Sequence, residues 1–232
     1  PGSALRSTIG QTGVVTTEST PYAGAMRRPT GLVLLAAGAG TRFGDRGHKL
    51  LANLPASAGE PAQSVIERSL ARAVAARITP IIVVSGALSD AALRTAVRTA
   101  VRTDGDDGEI AVVHNPQWAD GQMSSVRVGL AAAAARGCTR VVIGLGDQPG
   151  IEATAWRLVA GDAGPISVAT YDGRRGNPVA LDDDVWPLLP DGGDEGARTL
   201  MRVRPDLVRE VPCTGSPRDI DTEEDLRRWQ SS

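Results

Sequence analysis

A glycine-rich stretch that ends in a lysine is the first feature of this sequence that could do chemistry. It runs from Leu35 through Gly38, Gly40 and Arg42 to Lys49. Small residues let backbone N–H groups approach phosphate oxygens, and the two cationic side chains add positive charge where a triphosphate would lie. Lys49 is the only lysine, since the other 24 of the 25 basic residues are arginine. The candidate nucleotide contacts in this loop are Leu35, Ala36, Ala37, Gly38, Gly40, Thr41, Arg42 and Lys49.

The glycine spacing argues against two well-known phosphate-binding loops. A dinucleotide-binding fingerprint needs its third glycine three residues after Gly40, but this chain has Gly44, one residue late. That fingerprint also needs an acid at the end of the second strand, where Ser85-Gly86 stands. A P-loop needs Ser or Thr after its lysine, whereas Lys49 precedes Leu50. A merely flexible turn is the remaining alternative, and the single lysine makes it less attractive.

Short apolar runs alternate with helical patterns along the chain, which predicts an α/β fold with a mainly parallel sheet covered on both faces. The patterns place strands at 31–36, 81–84, 110–113, 141–145, 166–169, 178–181 and 208–211. They place helices at 62–76, 90–101, 124–136 and 153–160, a turn at 104–108 and a polar loop at 191–196. A last helix is expected after Thr222, because Thr222 and Asp225 have the spacing of a capping box.

The loops that follow these strands are where function is expected. Parallel sheets bind ligands at the carboxyl ends of their strands. The residues to examine are therefore those at Gly38, Ser85, Asn115, Gly146 and Asn177. Asp147, directly after a buried strand, is chemically the best placed ligand for a hard cation such as Mg²⁺, which prefers carboxylate oxygens.

Composition limits the classes of protein and partner. With 232 residues and 41% hydrophobic residues, the chain can build a core without metal or disulfide help. A net charge of −2 gives no general attraction to nucleic acid or to an anionic membrane. No apolar run is long enough to span a bilayer, and Cys138 and Cys213 are expected to be reduced thiols of a cytoplasmic protein. Residues 1–29 are expected to be a tag remnant and a disordered tail, followed by one domain at 30–232.

Six sequence blocks in one order resemble the molybdenum-cofactor nucleotidyltransferases. The first is Leu35 to Gly44 with Lys49. The others are Asn115 to Trp118 with Gly121 to Ser125, Leu145 to Pro149, Arg175 to Pro178, Gly193 to Arg198, and Asp219 to Thr222. The similarity extends over about 31–230 and implies a single Rossmann-like, three-layer α/β/α nucleotidyltransferase domain.

The same resemblance implies a catalytic group and a metal pair. Lys49, Arg42 and Asp147 would be catalytic, with Lys49 stabilising the charge that builds on the α-phosphate. Asp147 and Asp221 would hold Mg²⁺ between them, since the family pairs these positions. An alternative for Asp221 is a loop aspartate that favours the N-terminus of the last helix.

Contacts to the base and to the second substrate are also implied. Ser125 and the Ser85-Gly86 turn are the nucleobase candidates, although Ser124 and Ser125 could equally be helix N-caps. Gln148, Asn177 and Pro178 are the candidates for the second substrate. The family commonly has Gly-His-Pro where this chain has Gly176-Asn177-Pro178, and asparagine cannot change its protonation state.

Three further polar positions receive structural interpretations. His48 is expected to be solvated, and His114 is expected to be a structural residue at a strand end. The acidic run Asp182 to Asp184 is expected to be a solvated helix start.

The resemblance implies transfer of CMP from CTP to a phosphorylated pterin, with release of pyrophosphate. Ala37 favours cytosine, because the cytidylyl branch of the family tends to read Leu-Ala-Ala-Gly and the guanylyl branch Leu-Ala-Gly-Gly. Transfer of GMP, or transfer to a sugar phosphate or another phosphorylated acceptor, remains an alternative. A non-catalytic chaperone that hands cofactor to a molybdenum hydroxylase is the alternative from another class. The presence of both Lys49 and Asp147 favours an enzyme, and a molybdenum hydroxylase would then receive its product.

Overall fold

The computed structural model describes residues 28–44, 47–56, 61–104 and 109–230. Most of the expected tail, up to residue 27, and residues 105–108 of the expected turn lie outside the described residues. Across the described ranges, the structure has no helix that is both long and apolar enough to cross a membrane.

A seven-stranded sheet organises the molecule, in the order β5-β4-β1-β6-β8-β7-β9. Among the described residues the strands are β1 (Thr30–Ala36), β2 (Asn53–Leu54), β3 (Gln63–Ser64), β4 (Ile81–Ser85), β5 (Ile110–His114), β6 (Arg140–Leu145), β7 (Ile166–Tyr171), β8 (Arg174–Asp182) and β9 (Val208–Pro212). Strand β8 alone runs opposite to the other strands of this sheet, which confirms the mainly parallel arrangement. Strands β2 and β3 form a separate antiparallel pair that the sequence patterns do not predict.

Helices cover both faces of the sheet. In the described part they are α1 (Val65–Ala75), α2 (Asp90–Asp104), α3 (Gln122–Ala134), α4 (Ala153–Gly161), α5 (Arg198–Val203) and α6 (Glu223–Gln230). Successive side chains of a strand point to opposite faces, so Leu32 and Leu34 pack with α1, α2 and α4. Val33 and Leu35 pack with α3 and α5 on the other face. The three-layer α/β/α architecture is thereby confirmed.

The first helix starts three residues later than its apolar pattern suggests. The sequence predicts a helix from residue 62, but α1 begins at Val65 because Ser64 caps it. The Ser64 hydroxyl accepts a hydrogen bond from the Glu67 N–H at 3.4 Å, and the Glu67 carboxylate accepts one from the Ser64 N–H at 2.7 Å. This reciprocal capping box satisfies two backbone donors that a helix start leaves free.

The capping box predicted before the last helix is also present. The Thr222 hydroxyl accepts a hydrogen bond from the Asp225 N–H at 3.2 Å, and the Asp225 carboxylate accepts one from the Thr222 N–H at 2.9 Å. Helix α6 therefore begins at Glu223, where the sequence places it.

The acidic run Asp182 to Asp184 does begin a short helix, as the sequence predicts, and Asp184 is exposed, but Asp182 is buried. Asp182 is 2% exposed and pairs with the guanidinium groups of Arg140 and Arg28. A buried carboxylate needs such partners because its desolvation is costly. The short helix Asp183–Leu188 begins only after it.

His48 is only partly solvated, and its ring joins two parts of the glycine-rich loop. The Leu50 N–H donates to its Nδ1 at 3.2 Å, so the ring is neutral and its Nε2–H donates to the Gly38 carbonyl at 2.9 Å. Burial lowers the pKa of His48, the Gly38 carbonyl raises it, and the charge of Lys49 lowers it further, with a net lowering. Neutral His48 therefore ties the start of the loop to its end.

This pairing predicts a pH-dependent stability. Because the folded-state pKa of His48 lies below its ordinary 6.5, the unfolded chain takes up the proton more readily. The contribution of neutral His48 to stability is therefore complete above pH 6.5. It is lost as the pH falls from 6.5 toward the folded-state pKa. We expect His48→Asn, which cannot titrate, to flatten the pH dependence of the free energy of unfolding, measured with urea between about pH 5 and 7. An unchanged slope in His48→Asn would contradict the assignment.

Candidate active site

The glycine-rich loop leaves β1 at the carboxyl edge of the sheet and is anchored by a buried side chain. Phe43 is 3% exposed, and its N–H donates to the Gly40 carbonyl at 3.0 Å in a short helix, Thr41–Phe43. Gly40 has φ of 66°, and a Cβ there would lie 3.0 Å from Cγ of Lys49. Glycine is therefore required for the loop to turn back over the lysine.

The turn after β4 closes against this loop. A Cβ on Gly86 would lie 2.5 Å from the Ala37 carbonyl oxygen and 2.6 Å from Cβ of Trp118, so only glycine fits. The Ala87 N–H donates to the same carbonyl at 3.0 Å. The predicted nucleobase contact Ser85 is fully buried, and its hydroxyl donates to Asp90 at 2.5 Å. Ser85 and Gly86 thus shape the wall of the site, and neither lines the cleft.

Lys49 lies between the two carboxylates that the sequence proposes as a metal pair. Its Nζ is 2.5 Å from Oδ2 of Asp147 and 2.6 Å from Oδ1 of Asp221. Arg42 adds a second cation, with Nη2 2.8 Å from Oδ2 of Asp221. The Asp221 carboxylate therefore points into the site, although its residue directly precedes the cap of α6. Four predicted residues from three distant segments of the chain meet here.

Backbone contacts bring the two acidic segments together. The Ile220 N–H donates to the Asp147 carbonyl at 2.9 Å, and Ile220 is 1% exposed within the core. The Gly146 N–H donates to the Leu35 carbonyl at 2.8 Å, which joins the end of β6 to the end of β1. Packing and main-chain pairing therefore fix the distance between the carboxylates.

Electrostatics keep Lys49 charged. Burial alone would lower the pKa of Lys49, but the charge of Asp147 and the hydrogen bonds to Asp147 and Asp221 outweigh it, so the pKa is raised. The pKa of the neighbouring Asp219 carboxyl is also raised, first by burial and then by the charge of Asp147, and for a carboxyl this disfavours the charged form. The sequence suggested no role for Asp219, although this residue lies in the block from Asp219 to Thr222.

The donor set suits a divalent cation that is shared with a phosphate. Oδ1 of Asp147 is buried and accepts no hydrogen bond from the described residues, so one carboxylate oxygen still lacks a partner. Within the described ranges no three His, Cys, Asp or Glu side chains come close enough to form a complete metal cage. Mg²⁺ is commonly held by one or two carboxylates together with substrate phosphates and water, and Asp147 with Asp221 fits that pattern.

A cleft of about 380 Å³ opens beside this cluster. Its walls include Ala37, Gly38, Lys49 and Asp147, and its far end is formed by Trp118, Gln122, Ser125 and Asp194. Leu35, Ala36 and Arg42 also line it, whereas the predicted contacts Gly40 and Thr41 do not.

Asn115 positions the far end of the cleft. It is 1% exposed, and its Nδ2 donates to Ser124 Oγ and Ser125 Oγ, each at 2.9 Å. Its Oδ1 accepts from the Gln117 N–H at 2.9 Å, which fixes the turn that carries Trp118. Helix α3 is capped at Gly121, so the N-cap interpretation of the two serines is wrong. The position of Asn115 directly after β5 could have indicated this role from the sequence.

Asp194 was missed because it belongs to a polar loop far along the chain. Its Oδ1 accepts a hydrogen bond from the Gln122 N–H at 3.3 Å, and the Gly193 carbonyl accepts one from the Met123 N–H at 2.9 Å. The loop therefore caps the start of α3 and reaches the cleft only in the folded chain.

The three predicted second-substrate residues are not equivalent. Gln148 is 5% exposed, and its amide is used within the protein: Nε2 donates to Pro217 O and Asp219, and Oε1 accepts from Asn177 Nδ2 at 2.9 Å. Gln148 is a positioning residue, and Pro178 is buried. Asn177 lines a second cavity, which lies beside the first and shares Gln122 with it.

That second cavity has a volume of about 400 Å³, an apolar floor and a cationic rim. The floor is formed by Val126, Ile143, Val168, Val179, Leu181 and Met201. Three arginines stand around it: Arg175 pairs with Glu210 at 2.7 Å, Arg202 pairs with Glu195 at 3.1 Å, and Arg198 has no hydrogen bond or ion pair from its side chain to the described residues.

Known proteins are similar to this chain in sequence and in fold. The chain is similar to nicotine blue oxidoreductase of Paenarthrobacter nicotinovorans, with 31% identity over 209 residues that cover 84% of this chain and 94% of that protein. It is also similar to the structure of Rv0371c from Mycobacterium tuberculosis H37Rv, with 32% identity, a TM-score of 0.64 and coverage of 88% and 98%. A further structure of Rv0371c, in complex with manganese, has 31% identity and a TM-score of 0.62, over 88% of this chain and 97% of that one.

A family model places this chain among proteins that act on nucleoside triphosphates. The model for the MobA-like NTP transferase domain matches residues 32–210, which include the glycine-rich loop, Lys49 and Asp147. The chain belongs to the MobA-like NTP transferase domain family.

Proposed function

We propose that this protein transfers CMP from CTP to a phosphorylated pterin of the molybdopterin type and releases pyrophosphate. The observation that carries the proposal is the position of Lys49, between Asp147 and Asp221 and under the glycine-rich loop. Such a cluster places positive charge and a candidate cation site where a triphosphate on that loop would extend.

The chain's own residues would act by positioning and by electrostatics. An oxygen of the acceptor phosphate forms a bond to the α-phosphorus, while the bond from that phosphorus to the bridging oxygen breaks and pyrophosphate leaves with the electron pair. Lys49 and Arg42 stabilise the negative charge that builds on the phosphate oxygens. The loop would hold the α-phosphorus in line for attack, which lowers the entropic part of the barrier.

Asp147 and Asp221 would hold Mg²⁺, which would neutralise charge on the triphosphate. The unpartnered Oδ1 of Asp147 supports this assignment, because a buried carboxylate oxygen without a donor is costly. The manganese complex of the relative Rv0371c also supports a divalent cation in this family.

Ala37 supports cytosine as the base. It is 5% exposed and lines the cleft, and its backbone is closely packed by Gly86. The cytidylyl branch of the family tends to have alanine at this position, whereas the guanylyl branch tends to have glycine. Trp118 at the far end offers an aromatic face on which a base can stack.

The second cavity supports a flat, phosphorylated acceptor. An apolar floor suits a fused ring system, and Arg198 offers a guanidinium for a phosphate group. Asn177 on the cavity wall bonds to Gln148, the residue after Asp147, and so connects the acceptor cavity to the candidate metal site. The product, in which CMP is joined to the pterin, would then pass to a molybdenum hydroxylase.

A reductase is the second candidate, because a relative with 31% identity is named nicotine blue oxidoreductase. A dinucleotide donor would bind differently from a triphosphate, and the glycine spacing at Gly40 and Gly44 does not fit the dinucleotide fingerprint. Oxidation of a reduced nicotinamide dinucleotide in the presence of nicotine blue tests this activity. Pigment-dependent oxidation that survives Asp147→Asn, without pyrophosphate release from any triphosphate, would favour the reductase.

The first prediction concerns catalysis. Wild-type protein with Mg²⁺, molybdopterin and each nucleoside triphosphate in turn should release pyrophosphate, fastest with CTP. Lys49→Ala and Asp147→Asn should each lower kcat about 100-fold or more, because each removes charge that stabilises the transition state. Unchanged turnover in Asp147→Asn would remove this carboxylate from the mechanism. No turnover with any triphosphate, while Lys49→Ala bound nucleotide normally, would contradict the enzymatic proposal.

The second prediction concerns the base. We expect Ala37→Gly to shift the ratio of kcat/KM for CTP to that for GTP by about tenfold toward GTP, since one methyl group in a pocket discriminates by about that much. Initial rates with the two triphosphates under the same conditions measure the ratio. Ala39→Gly, on the rim of the cleft, is the control and should leave this ratio unchanged. An unchanged ratio would show that position 37 does not select the base.

The third prediction concerns the acceptor. Arg198→Met should raise KM for the acceptor by about tenfold to a hundredfold, because a hydrogen bond between charged groups is lost. KM for CTP should change less than about twofold, since Arg198 lies outside the nucleotide cleft. Arg202→Met is the matched control, because that guanidinium is already paired with Glu195. An equal rise in KM for the acceptor and in KM for CTP would contradict the assignment of the two substrates to two separate cavities.

A further inference from the structure

The two candidate metal ligands already carry cations that belong to the chain. Lys49 lies 2.5 Å from Asp147 and 2.6 Å from Asp221, and Arg42 lies 2.8 Å from the second oxygen of Asp221. Two negative side chains therefore meet two positive ones. Of the four carboxylate oxygens, Oδ1 of Asp147 alone has no hydrogen-bond or ion-pair partner among the described residues.

This arrangement sets the ammonium group in competition with a divalent cation. Both would need the carboxylate groups of Asp147 and Asp221, and two cations on the same pair of carboxylates repel each other strongly at short distances. A free metal ion would have to displace Lys49 without giving that ammonium a new partner. Lys49 is only 12% exposed, so water cannot fully replace the lost carboxylates.

A triphosphate changes this balance. Its oxygens are anionic partners for Lys49 and Arg42, and they are also ligands for the cation. A metal–triphosphate complex keeps a net negative charge, so the two basic side chains attract it while they disfavour a bare cation. The phosphates therefore give Lys49 a second place to bind at the moment when the carboxylates are needed for metal.

We infer that this site takes its divalent cation as the metal–nucleotide complex, because Lys49 occupies the Asp147–Asp221 pair until phosphate oxygens draw it away. The inference rests on the proposed function and states the form in which the same site binds its nucleotide substrate. It assigns Lys49 a second role beyond charge stabilisation, as an internal cation that excludes free metal. The apparent affinity for free metal is reduced by the fraction of molecules in which Lys49 leaves the pair.

The experiment measures Mn²⁺ binding, by the paramagnetic resonance signal of free Mn²⁺, without turnover. Wild type, Lys49→Met and Lys49→Arg are titrated alone and again with the non-hydrolysable α,β-methylene analogue of CTP. Methionine has a similar length and no charge, whereas arginine keeps the charge. Thermal melting with and without Mn²⁺ tests folding, and Lys49→Met should gain more in Tm from Mn²⁺ than wild type does, because the metal replaces the missing cation.

Two variants control for general charge effects. Arg136→Met removes one positive charge from a surface pair with Glu109. This pair lies just beyond the C-terminal end of α3, roughly 20 Å from the start of that helix at the cleft, so the variant should bind Mn²⁺ like wild type. Lys49→Met combined with Asp147→Asn should lose any gain in affinity, which ties the gain to this carboxylate.

We expect Lys49→Met to bind free Mn²⁺ about tenfold or more tightly than wild type, and Lys49→Arg to resemble wild type. With the CTP analogue, the difference between wild type and Lys49→Met should become much smaller, because the nucleotide has already displaced the lysine. No tightening in a folded Lys49→Met, or the same tightening with and without the analogue, would overturn the inference. A tighter Lys49→Met in a protein that forms no product with any triphosphate would overturn the proposed function and leave this inference standing.

Discussion

The burial of the Asp147 carboxylate against Lys49 is the interaction on which the rest of the site depends. A carboxylate at this depth is costly unless a cation meets it, and the lone lysine does so at 2.5 Å. The same ammonium reaches Asp221, which fixes the C-terminal segment over the sheet edge. One cation therefore holds together parts of the chain that lie 98 and 172 residues apart in sequence.

The sheet supplies the geometry that makes this contact possible. Strands β1 and β6 are parallel neighbours with Leu35 opposite Leu145, so the loops that leave them emerge side by side. The carboxyl ends of parallel strands collect such loops at one edge. Strand β8 runs in the opposite direction, so its first half, with Asn177, reaches the same edge from the other side.

Two cavities with different chemistry meet at this edge. The cleft beside Lys49 is lined by small residues and by the charged cluster, whereas the neighbouring cavity has an apolar floor with arginines around it. The side-chain amide of Gln148 joins the acidic segment to the second cavity, because its Nε2 donates to Asp219 and its Oε1 accepts from Asn177. A transfer reaction needs such a division, because each substrate must be held by its own contacts while the reacting groups share one position.

The sequence by itself determined most of the strand and helix pattern, because that pattern depends on local periodicity, and it predicted the candidate roles of the glycine-rich loop and of Asp147 after β6 from glycine spacing and position. It could not determine that His48 bonds to Gly38, that Ser85 turns inward to Asp90, or that Asp182 is buried against Arg140. Nor did it show Asp194 at the cleft or the reversed direction of β8. Those features depend on which distant groups share a buried space. A polar residue looks the same in sequence whether water or another chain segment satisfies it, and only tertiary packing decides which of them does.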